Sequence, residues 1–240
     1  MRVEILNCPI DTMDMNATVS SIDDAIQKNR RIHHVVVNAA KLVNMRRDER
    51  LRDSVINCDI INADGQSVVW AAKFLGKPLK ERVAGIDLMT ALVELAQRRK
   101  YKIFLLGAEE KIVRAVAEKY GAEIVAGYRN GYFDEEEAAA VAEQIAASRA
   151  QMLFVAVSSP KKEIFLNRYK DTIDAPFIMG VGGAFDVIAG KVTRAPRWMQ
   201  KSGLEWLYRV IQEPRRMWKR YLVTNSVFIY LVLKEKFARK

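Results

Sequence analysis

Cysteine and histidine are scarce in this chain. Cys8 and Cys58 sit in apolar stretches with neither CxxC nor metal-ligand spacing, so they read as small buried thiols, not as a disulfide or zinc framework. The two histidines, His33 and His34, are adjacent inside the β-branched run Ile32–Val37. On a strand they point to opposite faces, which argues against a shared metal. No GxGxxG and no P-loop occurs, and there is no internal repeat or low-complexity segment. The longest apolar run, near Leu222–Leu233, is broken by Thr224, Asn225 and Ser226 and falls short of the roughly 20 residues that cross a bilayer. The N-terminal MRVEILNCPIDTMD carries Arg2 and Glu4 and lacks an apolar core of signal length, so the expected setting is cytoplasmic.

What is present is enough for a sizeable core: 240 residues, 50% of them hydrophobic. The charge is placed unevenly. Residues 196–240 hold 11 Lys/Arg against three acids, so +8 of the net +10 lies at the C-terminal end, interleaved with Trp198, Trp206, Tyr208, Trp218 and Tyr221. Such a stretch suits anionic headgroups or phosphates. Upstream, short apolar runs at 3–6, 32–37, 55–62, 102–106, 123–126, 152–157 and 178–181 alternate with helical periodicity. This spacing predicts an α/β domain over 1–195, followed by a helical appendage over 196–240. Within the appendage Leu204, Leu207, Tyr208 and Ile211 form one apolar helix face, and Pro214 fits the first position of a second helix.

Several positions carry chemistry. Asp64 follows a strand and precedes Gly65, which places a carboxylate at the carboxyl edge of a sheet or caps a turn. The aperiodic loop 77–85 presents Arg82, a candidate flap over that edge. Gly107-Ala108 ends a strand before an amphipathic helix, in the manner of half a nucleotide-binding unit, and Gly127–Phe133 is a glycine-aromatic loop holding Tyr132. Pro160, with Lys161 and Lys162, opens a helix that could receive an anion. Gly182-Gly183 supply positive φ or room for a ligand before Asp186.

The motifs NADG (62–65), KERVAGIDLM (80–89), FLLGA (104–108), GYF (131–133), SPKKE (159–163), MGVGGAFDVIAGKVTRAP (179–196) and GLEWLYRVIQEPRR (203–216) together resemble the WecG/TagA/CpsF family of bacterial glycosyltransferases over nearly the whole chain. The resemblance implies a Rossmann-like, mostly parallel sheet flanked by helices, with a C-terminal appendage that associates peripherally with the inner face of the cell membrane. It implies inverting transfer of a sugar from a UDP-sugar onto a polyprenyl-diphosphate-linked sugar, in teichoic acid or surface polysaccharide synthesis.

Residue by residue, the resemblance makes Asp64 the base and sets Arg82 near acceptor and leaving group. It makes Asn38 a sugar contact, Tyr132 the aromatic on uracil and Asp186 a nucleoside-binding carboxylate, with Arg209 and Arg216 reaching the diphosphate. Gly107, Ala108, Gly182 and Gly183 complete the substrate-binding set. The family's usual Gly-Ser/Ala-Pro-Lys-Gln-Glu is Ser158-Ser159-Pro160-Lys161-Lys162-Glu163 here. Lys162 thus puts a cation where relatives carry an amide, and suggests a donor with a carboxylate or a different hexose. No DxD-like carboxylate pair occurs in a loop, so the transfer is expected to need no metal or other cofactor. The basic, aromatic C-terminus would equally fit nucleic acid; the resemblance favours an anionic membrane surface instead, and leaves association into a homo-oligomer open.

Overall fold

The computed structural model describes residues 1–238, apart from the side chains of Lys201, Arg216 and Arg220. The chain begins with a hairpin of β1 (Arg2–Ile5) and β2 (Cys8–Asp11), then α1 (Met15–Gln27), β3 (Ile32–Val37), α2 (Ala39–Asn44), α3 (Glu49–Ile56), β4 (Ile60–Ala63) and α4 (Gln66–Phe74). It continues through α5 (Gly85–Arg99), β5 (Ile103–Gly107), α6 (Glu110–Tyr120), β6 (Val125–Arg129), α7 (Ala138–Ala147), β7 (Met152–Ala156), α8 (Lys161–Ile173), β8 (Phe177–Gly180) and α9 (Ala184–Ile188). The appendage consists of α10 (Arg197–Lys201), α11 (Glu205–Gln212) and α12 (Pro214–Phe237).

Six strands form one parallel sheet in the order β4-β3-β8-β7-β5-β6. Period-two alternation divides their side chains between two faces. On β7, Met152, Phe154 and Ala156 join the core under α1, α5 and α6, whereas Leu153 and Val155, with Val157 just beyond the strand, join the core under α7 and α8. His33 and His34 do point apart, and both are buried; His34 Nε2 lies 2.9 Å from Asn62 Oδ1. Burial holds both imidazoles neutral, depressing the pKa of His33 to about 3 and that of His34 to about 4. The thiols of Cys8 and Cys58 are likewise buried, and desolvation pushes both up to about 12.

Because every strand runs the same way, every strand-to-helix turn opens on one edge of the sheet. After β3 the chain turns to one face, where Ala39, Leu42 and Val43 of α2 are buried. After β8 it turns to the other, where Ala184 and Phe185 of α9 are buried. Adjacent strands whose helices part in this way leave a crevice at their carboxyl ends, and open α/β sheets take their ligands there.

Three local expectations change. The charge-laced stretch 41–54, whose composition suggests one exposed helix, is not one helix. It is two, capped by Asn38 and Asp48, with Lys41, Leu42, Leu51 and Val55 buried. The β2 strand was not foreseen, because Pro9 and the positive φ of Leu6 and Asn7 hide a tight hairpin. The appendage is also less separate than its composition suggests. Phe228, Leu231 and Val232 of α12 belong to the same core cluster as Val35, Leu42 and Ile61. Glu235 further pins α12 by accepting from the Leu6 amide at 2.8 Å and pairing with Lys77 at 3.0 Å.

Candidate active site

Asp64 stands just beyond β4, its backbone amide donating to Val37 O at 2.9 Å. Neighbouring segments converge on it. The Val83 amide donates to Ala63 O at 2.9 Å, which sets Arg82 beside the carboxyl. A Cβ on Gly65 would lie 3.3 Å from Asn38 Cβ, so the ends of β3 and β4 are in contact there. The Asn38 side chain caps α2, its Oδ1 accepting from the Lys41 amide at 3.0 Å.

The appendage roofs this edge: an added Cβ at Gly203, between α10 and α11, would be 2.8 Å from Gln66 Cγ. Between roof and sheet lies a cleft of about 470 Å³ lined by Gln66, Glu81, Arg82, Asp87, Arg197 and Gln200. Removal from bulk water raises the pKa of the Asp64 carboxyl above the ordinary carboxylate range. Arg82 opposes that rise, Glu205 adds to it, and Arg209 and the Gly85 amide oppose it.

Further along the edge lie the glycine turns and the exposed aromatic ring that the sequence marks. Gly107 adopts φ +127°, and a Cβ there would fall 2.5 Å from the Ala156 carbonyl, so only glycine lets β5 turn away at this point. Ala108 follows at φ +56°, and the Gly131 amide donates to Ala108 O at 2.9 Å, locking the β5 and β6 turns together. Beside them the Tyr132 ring is 72% exposed, free to take a planar partner on its face. Gly182, at φ +54° with open space around it, leads to Asp186 in the first turn of α9. Lys191 links the two loops, lying 3.5 Å from Asp186 Oδ1 and 3.0 Å from Glu109 Oε1. A Cβ on Gly131 would lie 3.0 Å from Gly107 Cα and 3.1 Å from Val157 Cγ2, so its loop doubles back from β6 over the ends of β5 and β7, along the same sheet edge as Asp64.

The glycosyl transferase WecG/TagA/CpsF family matches residues 3–240. The chain belongs to this family. An N-acetylglucosaminyldiphosphoundecaprenol N-acetyl-beta-D-mannosaminyltransferase of Bacillus spizizenii is 32% identical over 240 residues, covering 96% of this chain and 92% of the relative. The protein of the same name from Bacillus subtilis is 34% identical over 235 residues, covering 94% of this chain and 90% of the relative.

As a WecG/TagA/CpsF glycosyltransferase the chain has one departure whose location is informative. Lys162 is buried with its ammonium 2.9 Å from Glu163 Oε1, and the same oxygen lies 2.8 Å from Lys41 Nζ. Burial would push the Glu163 carboxyl up, but Lys41 and Lys162 outweigh it and bring it down to about 2. Desolvation and the nearby Lys41 lower the pKa of the Lys162 ammonium. Its stem packs so closely on β8 that a Cβ on Gly180 would sit 2.9 Å from Lys162 Cδ. Lys161 is also engaged internally, donating to Phe133 O and lying over the Phe133 ring at 4.1 Å. Neither lysine of the SPKKE turn is presented as a free cation at the start of α8.

Of the appendage arginines, Arg209 is 3.8 Å from Glu205 and half exposed, while the Arg216 side chain lies outside the described residues. Residues that sequence patterns alone did not single out also line the site. Arg194 forms a two-pronged pair with Asp87, and Glu205 pairs with Arg82 at 3.1 Å. All three fall inside the family motifs, the only signal that could have marked them.

Proposed function

We propose that the protein transfers an N-acetylhexosaminyl group, with inversion, from a UDP-sugar to a sugar carried on polyprenyl diphosphate. The observation that carries this is the placement of Asp64 and Arg82 in a crevice roofed by the appendage, on the same sheet edge as the turns that hold Tyr132 and Asp186. In the proposed reaction the acceptor hydroxyl attacks the anomeric carbon, Asp64 accepts its proton, and the nucleoside diphosphate departs from the opposite side. A carboxyl with raised proton affinity is the stronger base for this step. Arg82 and Arg194 neutralise charge growing on a diphosphate without help from a metal ion, so turnover should survive EDTA. The names of the Bacillus relatives support a lipid-diphosphate acceptor and an N-acetylhexosaminyl group. With Lys162 paired to Glu163, nothing at that position favours a carboxylated donor.

The same reading includes a membrane seat. No helix among the described residues is long and apolar enough to cross a membrane. Trp206, Leu207 and Ile211 of α11 are exposed, and α12 turns Trp218, Leu222, Ile229, Leu233 and Phe237 outward along its length. Exposed apolar and aromatic side chains among eleven Lys/Arg suit the headgroup layer of an anionic leaflet. The test is incubation with a panel of UDP-sugars and lipid-diphosphate sugars, products being weighed by mass spectrometry. Asp64→Asn should leave UDP binding nearly unchanged and cut turnover by about a hundredfold or more. A folded Asn variant with full turnover would remove Asp64 from the mechanism.

A further inference from the structure

Glu205 opens α11, and its carboxylate is where three guanidiniums meet: Arg82 at 3.1 Å, Arg194 at 3.4 Å and Arg209 at 3.8 Å. Arg82 and Arg194 are 15% and 19% exposed and Glu205 is 16% exposed, so these two pairs are largely withdrawn from water. The arginines come from separate places: the loop before α5, the strap between α9 and α10, and α11 itself. No local structure requires them to converge. Asp87 takes the other edge of Arg194. Three guanidiniums therefore face two carboxylates, Glu205 and Asp87, which leaves one positive charge in excess beside Asp64. A surplus of arginine around one carboxylate, at the mouth of a cleft, has the make-up of an anion site already holding an anion.

We propose that Glu205 is an internal stand-in for a diphosphate: it holds Arg82 and Arg194 in the cleft until the diphosphate of a substrate takes its place. This rests on the glycosyl-transfer reading of the Asp64 crevice. A diphosphate carries more charge than a carboxylate and has enough oxygens to meet several forked guanidiniums at once, so it displaces Glu205 on the same donors. The segment that must yield is light. Among the described residues of α11 none is buried, and Gly203, at φ +73°, precedes it. Before substrate arrives, Glu205 keeps two arginines aimed at the cleft and prevents them from pairing with Asp64, the carboxyl that must stay free as base. The consequence is a lowered apparent affinity, since a ligand binds only the fraction of molecules in which the internal anion has left.

Calorimetry on the full-length protein and on Glu205→Gln tests this, with UDP, with UMP and with a short-chain polyprenyl-diphosphate N-acetylglucosamine as titrants. Glutamine keeps the size of the side chain and removes its charge. The Gln variant should bind at least one of the two diphosphates about tenfold more tightly, with little gain for UMP, which lacks the second phosphate. A gain with UDP alone assigns the arginines to the donor diphosphate; a gain with the lipid alone assigns them to the acceptor. A folded Gln variant that binds both diphosphates no better than wild type, or gains as much with UMP as with UDP, overturns the proposal. If Glu205→Gln does not fold, Glu205→Asp, which draws the carboxylate back by one methylene, should give a smaller gain of the same sign, and no gain there is equally fatal. A wild-type protein that binds neither diphosphate refutes the glycosyl-transfer reading itself, an outcome distinct from failure of the stand-in. Removing the Glu205 charge should also move the acid limb of the pH–rate profile to lower pH, because that charge is one of the influences raising Asp64.

Discussion

Replacing Glu163 by Gln and replacing Lys162 by Gln should have opposite consequences, although the two residues are adjacent and paired. Glu163 Oε1 is 2.8 Å from Lys41 Nζ and 2.9 Å from Lys162 Nζ, and all three side chains are less than 10% exposed. Two cations share one anion, so the cluster carries a buried net charge of +1. Glu163→Gln strips the anion and leaves two facing ammoniums with no counter-charge; breaking a buried pair in this way costs about 3–5 kcal/mol. For a chain of this size that lowers Tm by roughly 10–15 °C. Lys162→Gln removes only the surplus cation and leaves a matched Lys41–Glu163 pair, so its cost should stay within about 1 kcal/mol. Adding Lys162→Gln to the Glu163→Gln variant should recover part of the loss, since the two sites are coupled. Thermal melts of the three variants, with the UDP-sugar panel repeated on Lys162→Gln, give the comparison. The donor ranking should not move. If Lys162→Gln melts like wild type yet reorders the donors, the ammonium meets the substrate and the closed-cluster account is wrong.

Tyr132→Ala and Asp186→Ala should each weaken UDP binding, the first by about tenfold through lost base stacking and the second through lost hydrogen bonds; wild-type affinity by calorimetry in both would move the nucleoside elsewhere. Stability should fall with acid. The His33 and His34 pKa values of about 3 and 4 lie below the unfolded value of 6.5, so the unfolded chain binds more protons, and the contribution present above pH 6.5 is lost as pH falls toward 4. By pH 5 each histidine should cost about 2 kcal/mol, and denaturant melts that match at pH 7 and pH 5 would contradict this. Truncation after Pro196 should give an unfolded or aggregating product, since it strips Phe228, Leu231 and Val232 from the core; a monodisperse, cooperatively melting 1–196 fragment would show that α12 is dispensable to the fold.

The sheet was legible because its signal is local. Ile32–Val37, Met152–Ala156 and Phe177–Gly180 are apolar runs of strand length, fully buried or nearly so, and the turns after them hold the expected glycines and polar residues. The appendage was half legible. Pro214 does open a helix, and of the predicted α11 face Leu207 and Ile211 are exposed while Leu204 and Tyr208 are half-buried. The half of α12 that enters the core was hidden because α12 is apolar on two sides. Phe228, Leu231 and Val232 go inward while Ile229, Tyr230 and Leu233 go outward, and periodicity cannot choose between two apolar faces.

The charges of the site were the least legible part, for a reason that lies in sequence distance. Arg82 finds Glu205 across 123 residues, Arg194 finds Asp87 across 107, and Lys41 reaches Glu163 from another strand's turn. Composition sees these residues only as surface charge, and spacing along the chain carries no trace of them. A cation on a motif, such as Lys162, invites a substrate anion as its partner when the protein itself supplies one in the neighbouring Glu163, a carboxylate shared with Lys41 from the turn after β3. The same reasoning applies to Asp64: its place at a strand end can be read from NADG, but its raised proton affinity comes first from desolvation, to which Glu205 adds and which Arg82 and Arg209 oppose. Arg82 comes from a loop and Glu205 and Arg209 from the appendage, so the C-terminal helices help set the proton affinity of the carboxyl proposed as the base.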